Sequence, residues 1–284
     1  MRDRRPGLRY EIHQENDMST PRPVTLITGA SAGIGWALAE IFAQHGHELV
    51  LVARRMPELE RLADKIAASG APRPTVLSLD LGEAGAGDRI AAELAARGLA
   101  PRHVVNNAGF GLIGPAGELD RAGQLAMIDL NVRTLTDLSL AFIPSLAEHR
   151  GGLLNVASVA GFLPGPGMAV YYATKAFVLS FSESLHYELK ARAVRVSVLC
   201  PGPVPTEFQA RAGIKRRPSI MDRPVEEVAR AGYDGLMSGR RLIVPGWQNR
   251  FVTRMPRLLP RGLMLDLVAR SQARRHRTRL APGS

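Results

Sequence analysis

The chain has 284 residues, 45% hydrophobic and 22% charged, with a single cysteine and a formal net charge of +11. This suits one α/β domain, leaves no apolar run of about 18 residues to cross a bilayer, and excludes a disulfide framework. The excess charge does not read as a nucleic-acid footprint: residues 254–284 hold eight arginines against Asp266 alone, residues 1–17 carry four charges of each sign, and the rest of the chain is only +4.

Residues 1–20 read as a polar extension without periodicity, with a second Met at position 18. From there short apolar runs alternate with helical patterns. Val24–Thr28 is followed by a helix over Ile34–Gln44, Glu48–Ala53 by Pro57–Ser69, and Thr75–Leu79 by Gly87–Arg97. His103–Asn106 precedes a helical stretch over Gln124–Ser139, and Leu153–Ala157 precedes the helix Tyr171–Ala191. Val194–Leu199, a helix over Val225–Met237 and the short run Leu242–Val244 complete the series. Continuous rather than alternating apolar strands imply a sheet covered on both faces. The expected fold is therefore a Rossmann-like, doubly wound parallel sheet of about seven strands in a three-layer α/β/α sandwich. Its ligand crevice should lie at the carboxyl ends of the strands. Residues 21–250 would form this domain, and residues 251–284 a basic, amphipathic tail.

The first strand runs into Thr28-Gly29-Ala30-Ser31-Ala32-Gly33-Ile34-Gly35, which opens a helix. Gly29 suits the tight turn, Gly33 lets backbone approach a pyrophosphate, and Gly35 lets helix pack close to strand. A glycine turn alone is weak, but a strand before it and an amphipathic helix after it favour a dinucleotide site. The second strand ends in Arg54-Arg55, where a site for NAD usually places an acid against the ribose 2′-hydroxyl. Guanidinium groups suit a 2′-phosphate, so NADP(H) is expected, with Arg54 ahead of Arg55, which also reads as half of a solvated basic pair.

With these segments the chain resembles the short-chain dehydrogenase/reductase family over about residues 22–245. Asp80-Leu81 resembles the family's adenine-contacting pair, and Asn106-Asn107-Ala108-Gly109 its NNAG strand end. Asn131, Ser158, Tyr171 and Lys175 follow in order, then Pro201-Gly202-Pro203-Val204-Pro205-Thr206. The resemblance implies that Asn107, Ala108 and Gly109, and Pro201, Gly202, Val204 and Thr206, help to hold the cofactor, as do Ser31 and Ile34 in the first loop. It also implies that Asn131 organises a water-linked proton relay through Lys175.

The residues carry their own chemical argument. Tyr171 and Lys175 are four apart on a helix and share a face. A phenol of pKa near 10 is a poor base at neutral pH, but an adjacent ammonium, together with the cofactor's positive nicotinamide ring, favours the phenolate. Ser158, closing the preceding strand, can hydrogen-bond a substrate oxygen beside Tyr171. Tyr172 competes for the role, being three residues from Lys175, but lacks the YxxxK spacing. The expected activity is hydride transfer between the nicotinamide of NADP(H) and a carbonyl or alcohol substrate. The rival reading is a catalytically silent NADP-binding regulator on the same fold. An epimerase or dehydratase acting on sugar nucleotides ranks below both, since the chain is short for a separate substrate domain.

No metal site is expected, because the seven histidines show no paired-ligand spacing. The lone Cys200 ends a strand and reads as a buried structural thiol. With one cysteine and no signal-peptide pattern, a cytoplasmic location is expected. After Thr206 the chain turns basic through Lys215, Arg216 and Arg217 before Pro218. That stretch reads either as an ordinary solvated loop or as a lid attractive to acidic substrates. Phe177, Phe181 and Leu185 form an apolar stripe suited to the core or to another subunit, and the family resemblance implies a homodimer or homotetramer. In the tail, Leu258, Leu259, Leu263, Met264, Leu267 and Val268 accompany arginines 254, 257, 261, 270, 274, 275, 277 and 279. Such a segment can pack on the body, cap a pocket, or make peripheral contact with an anionic membrane.

Overall fold

Apolar strands without polar alternation need cover on two faces, and the computed structural model shows how the chain supplies it. The structure describes residues 20–212, 220–255, 260 and 262–270. The extension before Thr20, the basic run at 215–217 with Pro218, and Leu258, Leu259 and tail arginines 257, 261, 274, 275, 277 and 279 lie outside the described residues.

Seven strands form one sheet: β1 (Arg22–Thr28), β2 (Leu49–Ala53), β3 (Thr75–Ser78), β4 (Leu99–Asn106), β5 (Gly152–Val156), β6 (Arg195–Leu199) and β7 (Leu242–Ile243). Their order is β3-β2-β1-β4-β5-β6-β7, with every pairing parallel. The helices are α1 (Gly33–Gln44), α2 (Met56–Ala68), α3 (Ala86–Ala96), α4 (Arg121–Ile128), α5 (Leu135–Ala141), α6 (Ile143–Glu148), α7 (Ala169–Glu188), α8 (Glu207–Arg211), α9 (Val225–Met237) and α10 (Trp247–Arg254).

The two-residue period of a strand sends neighbours to opposite faces. Ile27, Leu51 and Leu154 pack with α1, α2 and α9, while Leu26, Val50, Val52 and Leu153 pack with α3, α5 and α7. This is the doubly wound sandwich that the sequence led us to expect. Strand order reverses between β1 and β4, so the crevice at the switch point opens beside Thr28 and Asn106. No helix among the described residues is long and apolar enough to cross a membrane.

Three departures from the expected elements have physical reasons. The single helix expected over Gln124–Ser139 is α4 and α5 joined by a π-helical turn at Asp129–Thr134. Apolar periodicity does not register one extra residue in a turn. The short α6 was not expected, and Pro144 sits in its first turn, where the missing N–H costs nothing. β4 begins at Leu99 rather than His103, carrying Pro101 beside a register shift between Val24 and Thr25.

A buried polar chain fixes α5 and α7 on the sheet. Asn106 and Asn155 are register partners on β4 and β5. The Asn106 amide donates to Asn155 Oδ1 and to Ser139 Oγ of α5, both at 3.0 Å, and the Asn155 amide donates to Ser182 Oγ of α7 at 3.0 Å. Removing one partner strands a buried amide and costs about 1–3 kcal/mol. The helix carrying Tyr171 and Lys175 is thus tied directly to β5, the strand that leads into Ser158.

Candidate active site

The site is assembled from loops that leave the carboxyl ends of β1 to β6. At the end of β1, Gly29 has φ +66°, a left-handed turn that glycine adopts without strain. A Cβ on Gly35 would lie 2.4 Å from both Asn107 Nδ2 and Gly29 O, so only glycine lets α1 start this close to the loop after β4. The Asn107 amide donates to Thr28 O at 3.0 Å and Gly29 O at 3.2 Å. The Thr28 hydroxyl accepts from the backbone N–H of Asn107 at 3.0 Å and Ala108 at 3.1 Å, while donating to Val105 O at 3.2 Å. The glycine loop is therefore pinned open at the switch point. Helix α1 begins with no acid in its first turn and no side-chain cap, which suits an anion at its N-terminus.

Arg55 donates to Ser31 O at 3.0 Å and Ser31 Oγ at 3.3 Å, and pairs with Glu207 at 3.1 Å. Arg54 is largely exposed and lies 3.7 Å from Asp80. Two guanidinium groups beside an anion-suited helix start, with no room for a Cβ at Gly29 or Gly35, fit a dinucleotide with a further phosphate on its ribose.

These residues share one cleft of about 980 Å³ with Leu81, Ala108, Gly109, Pro201, Gly202, Val204 and Thr206, and with Ser158, Tyr171 and Lys175. Gly33 and Ile34 line it too, whereas Gly35 and Asn131 stand behind its wall. Tyr171 and Ser158 stand together in the cleft lining, and the Ser158 hydroxyl acts to lower the Tyr171 pKa. Ser158 Oγ also accepts from Ala160 N at 3.1 Å, which holds it at the start of a 3₁₀ turn. Tyr172 lines the same cleft, with its ring packed over Gly165.

Lys175, 5% exposed, donates to Val156 O at 2.8 Å, and its Nζ stands 5.9 Å from the Tyr171 ring centroid. Burial lowers its pKa to about 8. Burial pushes the Tyr171 phenol upward, only partly offset by the Ser158 hydroxyl, and so favours the neutral, proton-donating form.

Asn131 is 1% exposed and lies in the π-helical turn. Its amide donates to Phe110 O at 2.9 Å and Thr174 Oγ1 at 3.2 Å, and its Oδ1 accepts from Phe110 N at 3.1 Å. A Cβ built on Gly109 would meet Asn131 Oδ1 at 2.9 Å and Lys175 Nζ at 3.6 Å, so a gap left by glycine lies between the two. Cys200 is fully buried, its thiol pushed up by burial, and the described residues include no cluster of metal-ligating side chains.

The structure adds residues that sequence reasoning missed. Thr28 was read only as part of a motif, yet it orders two loops. Phe110, Met168, Phe208 and Gln209 line the cleft. Phe110 directly follows the NNAG stretch and Phe208 follows Thr206 by two, so proximity to motifs was the one available signal.

The family model for short chain dehydrogenase matches residues 23–217. Sulfoacetaldehyde reductase 2 of Chromohalobacter salexigens is 38% identical over 188 residues, covering 65% of this chain and 74% of that one. A short-chain dehydrogenase from Sphingobium yanoikuyae, solved in complex with NADPH, is 34% identical with a TM-score of 0.74, covering 86% of this chain and 96% of that one. The bulky-bulky ketone specific alcohol dehydrogenase from Comamonas testosteroni is 30% identical with a TM-score of 0.70, covering 87% and 95%. Fold, glycine loop and family match agree, and the chain belongs to the short-chain dehydrogenase family of oxidoreductases.

Proposed function

We propose that the protein is an NADP(H)-dependent oxidoreductase that interconverts a carbonyl compound and its alcohol, with Tyr171 as the general acid and base. The observation that carries this reading is that Tyr171, Ser158 and Lys175, one helical turn from Tyr171, line one wall of the cleft together. When bound, the nicotinamide supplies or takes up two electrons and one hydrogen as hydride at the substrate carbon. In the reducing direction Tyr171 gives its phenolic proton to the carbonyl oxygen, so the products are the alcohol and the oxidised cofactor. Ser158 holds that oxygen in place by hydrogen bonding. Lys175, with its pKa near 8, returns a proton to Tyr171 at neutral pH, and Asn131 positions this relay across the gap above Gly109.

Arg54 and Arg55 support NADP(H) over NAD(H), and the relative solved with NADPH adds to that support. Ser31, Gly33 and Ile34 hold the phosphates, Asp80 and Leu81 the adenine end, and Asn107 to Gly109 with Pro201, Gly202, Val204 and Thr206 the nicotinamide half. The relatives are named for sulfoacetaldehyde and for bulky ketones, so no substrate carries over from them directly. Residues 21–250 act as the catalytic domain. Leu125, Ile128, Leu140 and Phe177 are exposed on α4, α5 and α7, with Phe177 stacked on Phe181 at 5.6 Å, which supports a homo-oligomer. Light scattering showing only monomer at micromolar concentration would remove that element.

The test is binding and oxidation of NADPH against NADH by the purified protein with a panel of ketones and aldehydes. NADPH-preferring turnover is expected. Tight NADPH binding with no turnover on any carbonyl would favour the silent regulator instead.

A further inference from the structure

Helix α10 is held by one face and exposed on the other. Asn249 and Thr253, one turn apart, are buried. The Asn249 amide donates to Pro245 O at 2.8 Å, and Arg250 Nε donates to Val244 O at 3.0 Å, which ties the helix to the end of β7. A Cβ on Gly202 would lie 2.3 Å from Asn249 Oδ1, so the held face also abuts the loop after β6. The outer face carries Trp247, Arg250, Phe251 and Arg254, all exposed and spaced as neighbours along one helical stripe. Trp247 is 70% exposed and Phe251 62%. Residues 262–270 form a further helix that repeats the pattern: Met264 is buried, while Leu263, Leu267 and Arg270 are exposed.

Large aromatic side chains set together in water mark an interaction surface, and the arginines between them restrict what can cover it. The cover must be apolar at depth and negative at its rim. Indole and phenyl rings suit the boundary between headgroups and acyl chains, and arginine lays its methylenes along apolar surface while its guanidinium reaches phosphate. The charge points the same way. α10 contains no acid, the helix at 262–270 only Asp266, and the sequence from 254 to 284 sets eight arginines against that one acid. A two-fold contact between copies would bring this patch against itself, arginine facing arginine. A soluble polyanion would engage the arginines and leave Leu263 and Leu267 in water.

We infer that α10 and the helix at 262–270 form a peripheral docking surface for an anionic lipid bilayer. Trp247, Phe251, Leu263 and Leu267 enter the headgroup layer, and Arg250, Arg254 and Arg270 engage its negative charge. Each arginine brought near such a surface strengthens partitioning about fivefold, so the three together contribute about a hundredfold at low salt. The contact needs neither cofactor nor turnover and stands apart from the reductase reading.

Full-length protein is floated with vesicles of phosphatidylcholine alone and of phosphatidylcholine mixed with phosphatidylglycerol, for wild type, Trp247→Ser/Phe251→Ser and Arg250→Gln/Arg254→Gln. The wild type is expected to float with the mixed vesicles and to bind phosphatidylcholine alone at least about tenfold more weakly. Raising salt from about 0.1 M to about 1 M, which shortens the screening length from about 10 to about 3 Å, weakens binding to the mixed vesicles. Each double substitution lowers partitioning about tenfold or more, and a melting temperature matching the wild type's shows that the variant is folded. Trp36→Phe leaves Trp247 as the sole tryptophan and the docking face intact. Its emission shifts to the blue on the mixed vesicles and resists an aqueous quencher. Wild type that does not float with the mixed vesicles overturns the inference, as does flotation unchanged by either double substitution or Trp247 emission unmoved by the vesicles. A dimer that Trp247→Ser/Phe251→Ser dissolves, with no flotation, gives the face to a second copy. Retention on heparin without flotation gives it to a soluble polyanion, and either result overturns the inference while leaving the reductase reading untouched.

Discussion

The two ends of the parallel sheet both bury ionisable side chains, with different consequences. At the carboxyl ends, Tyr171 and Lys175 are buried in the wall of the cleft that Ser158 also lines, with Asn131 behind it. At the amino ends, His103 is 1% exposed and sits among His47 at 5.1 Å, Phe42 at 6.0 Å and Arg195, whose Nη2 lies 3.5 Å from its Nε2. Burial, then the charges of His47, Arg195 and Arg102, lowers the His103 pKa to about 3. Its Nδ1 and Arg195 Nε have no hydrogen-bond partner. His47, held by Thr25 at 3.4 Å and Tyr233 at 3.3 Å, is lowered too, by burial first and then by Arg102. At both ends of the sheet a perturbed pKa therefore marks burial first. What singles out a site is the convergence of perturbed groups on a space that a ligand can enter.

Four substitutions sharpen this contrast, in falling order of effect. Lys175→Met should lower kcat for reduction by about 10²–10⁴-fold. Wild-type reduction should be highest below about pH 8 and decline above it, as Lys175 loses its proton. A pH-independent rate up to pH 10 would break the assignment. Ser158→Ala should cost about 10²–10³-fold in kcat with NADPH binding unchanged, as for loss of one preorganised donor. Arg54→Asp should weaken NADPH binding by about 10–100-fold, corresponding to about 1.5–3 kcal/mol for a charged hydrogen bond, and leave NADH nearly unaffected. Equilibrium fluorescence titration of both cofactors reads this directly.

The fourth lies at the opposite end. The folded-state pKa of His103 is about 3 against about 6.5 for the unfolded chain, so between these values the unfolded chain binds more protons. Stability is intact above pH 6.5 and is lost as pH falls toward 3, by about 2 kcal/mol at pH 5 from this residue alone. His103→Gln should flatten the fall in melting temperature between pH 7 and pH 5 and leave kcat within about twofold. A large loss of turnover in that variant would make the amino end functional and erase the contrast.

The sequence was most legible where chemistry is tied to spacing. The turn from Thr28 to Gly35 and the Tyr171/Lys175 pair stand where their motifs implied, because a glycine turn and a one-turn helical offset depend on local geometry alone. The order of the strands was legible only in outline, through alternation of strand and helix. The π-helical turn at Asn131 was not legible, since one extra residue leaves apolar periodicity nearly unchanged. Phe110 and the adjacent Phe208 and Gln209 were missed because the loop after β4 and helix α8 meet only in the folded chain. The same holds for Asn106, Ser139, Asn155 and Ser182, whose mutual hydrogen bonds make polar residues at home in the core. His47 and His103 are 56 residues apart, and their shared burial follows only from the pairing of β1 with β2 and β4.

The most direct test of the central claim compares Tyr171→Phe with Tyr172→Phe, measuring NADPH affinity and NADPH oxidation on a ketone that the wild type reduces. The account predicts that Tyr171→Phe binds NADPH within about twofold of wild type and loses about 10²–10⁴-fold in kcat, while Tyr172→Phe keeps most of its turnover. Turnover retained by Tyr171→Phe and lost by Tyr172→Phe would contradict it, moving the proton donor to the neighbouring ring.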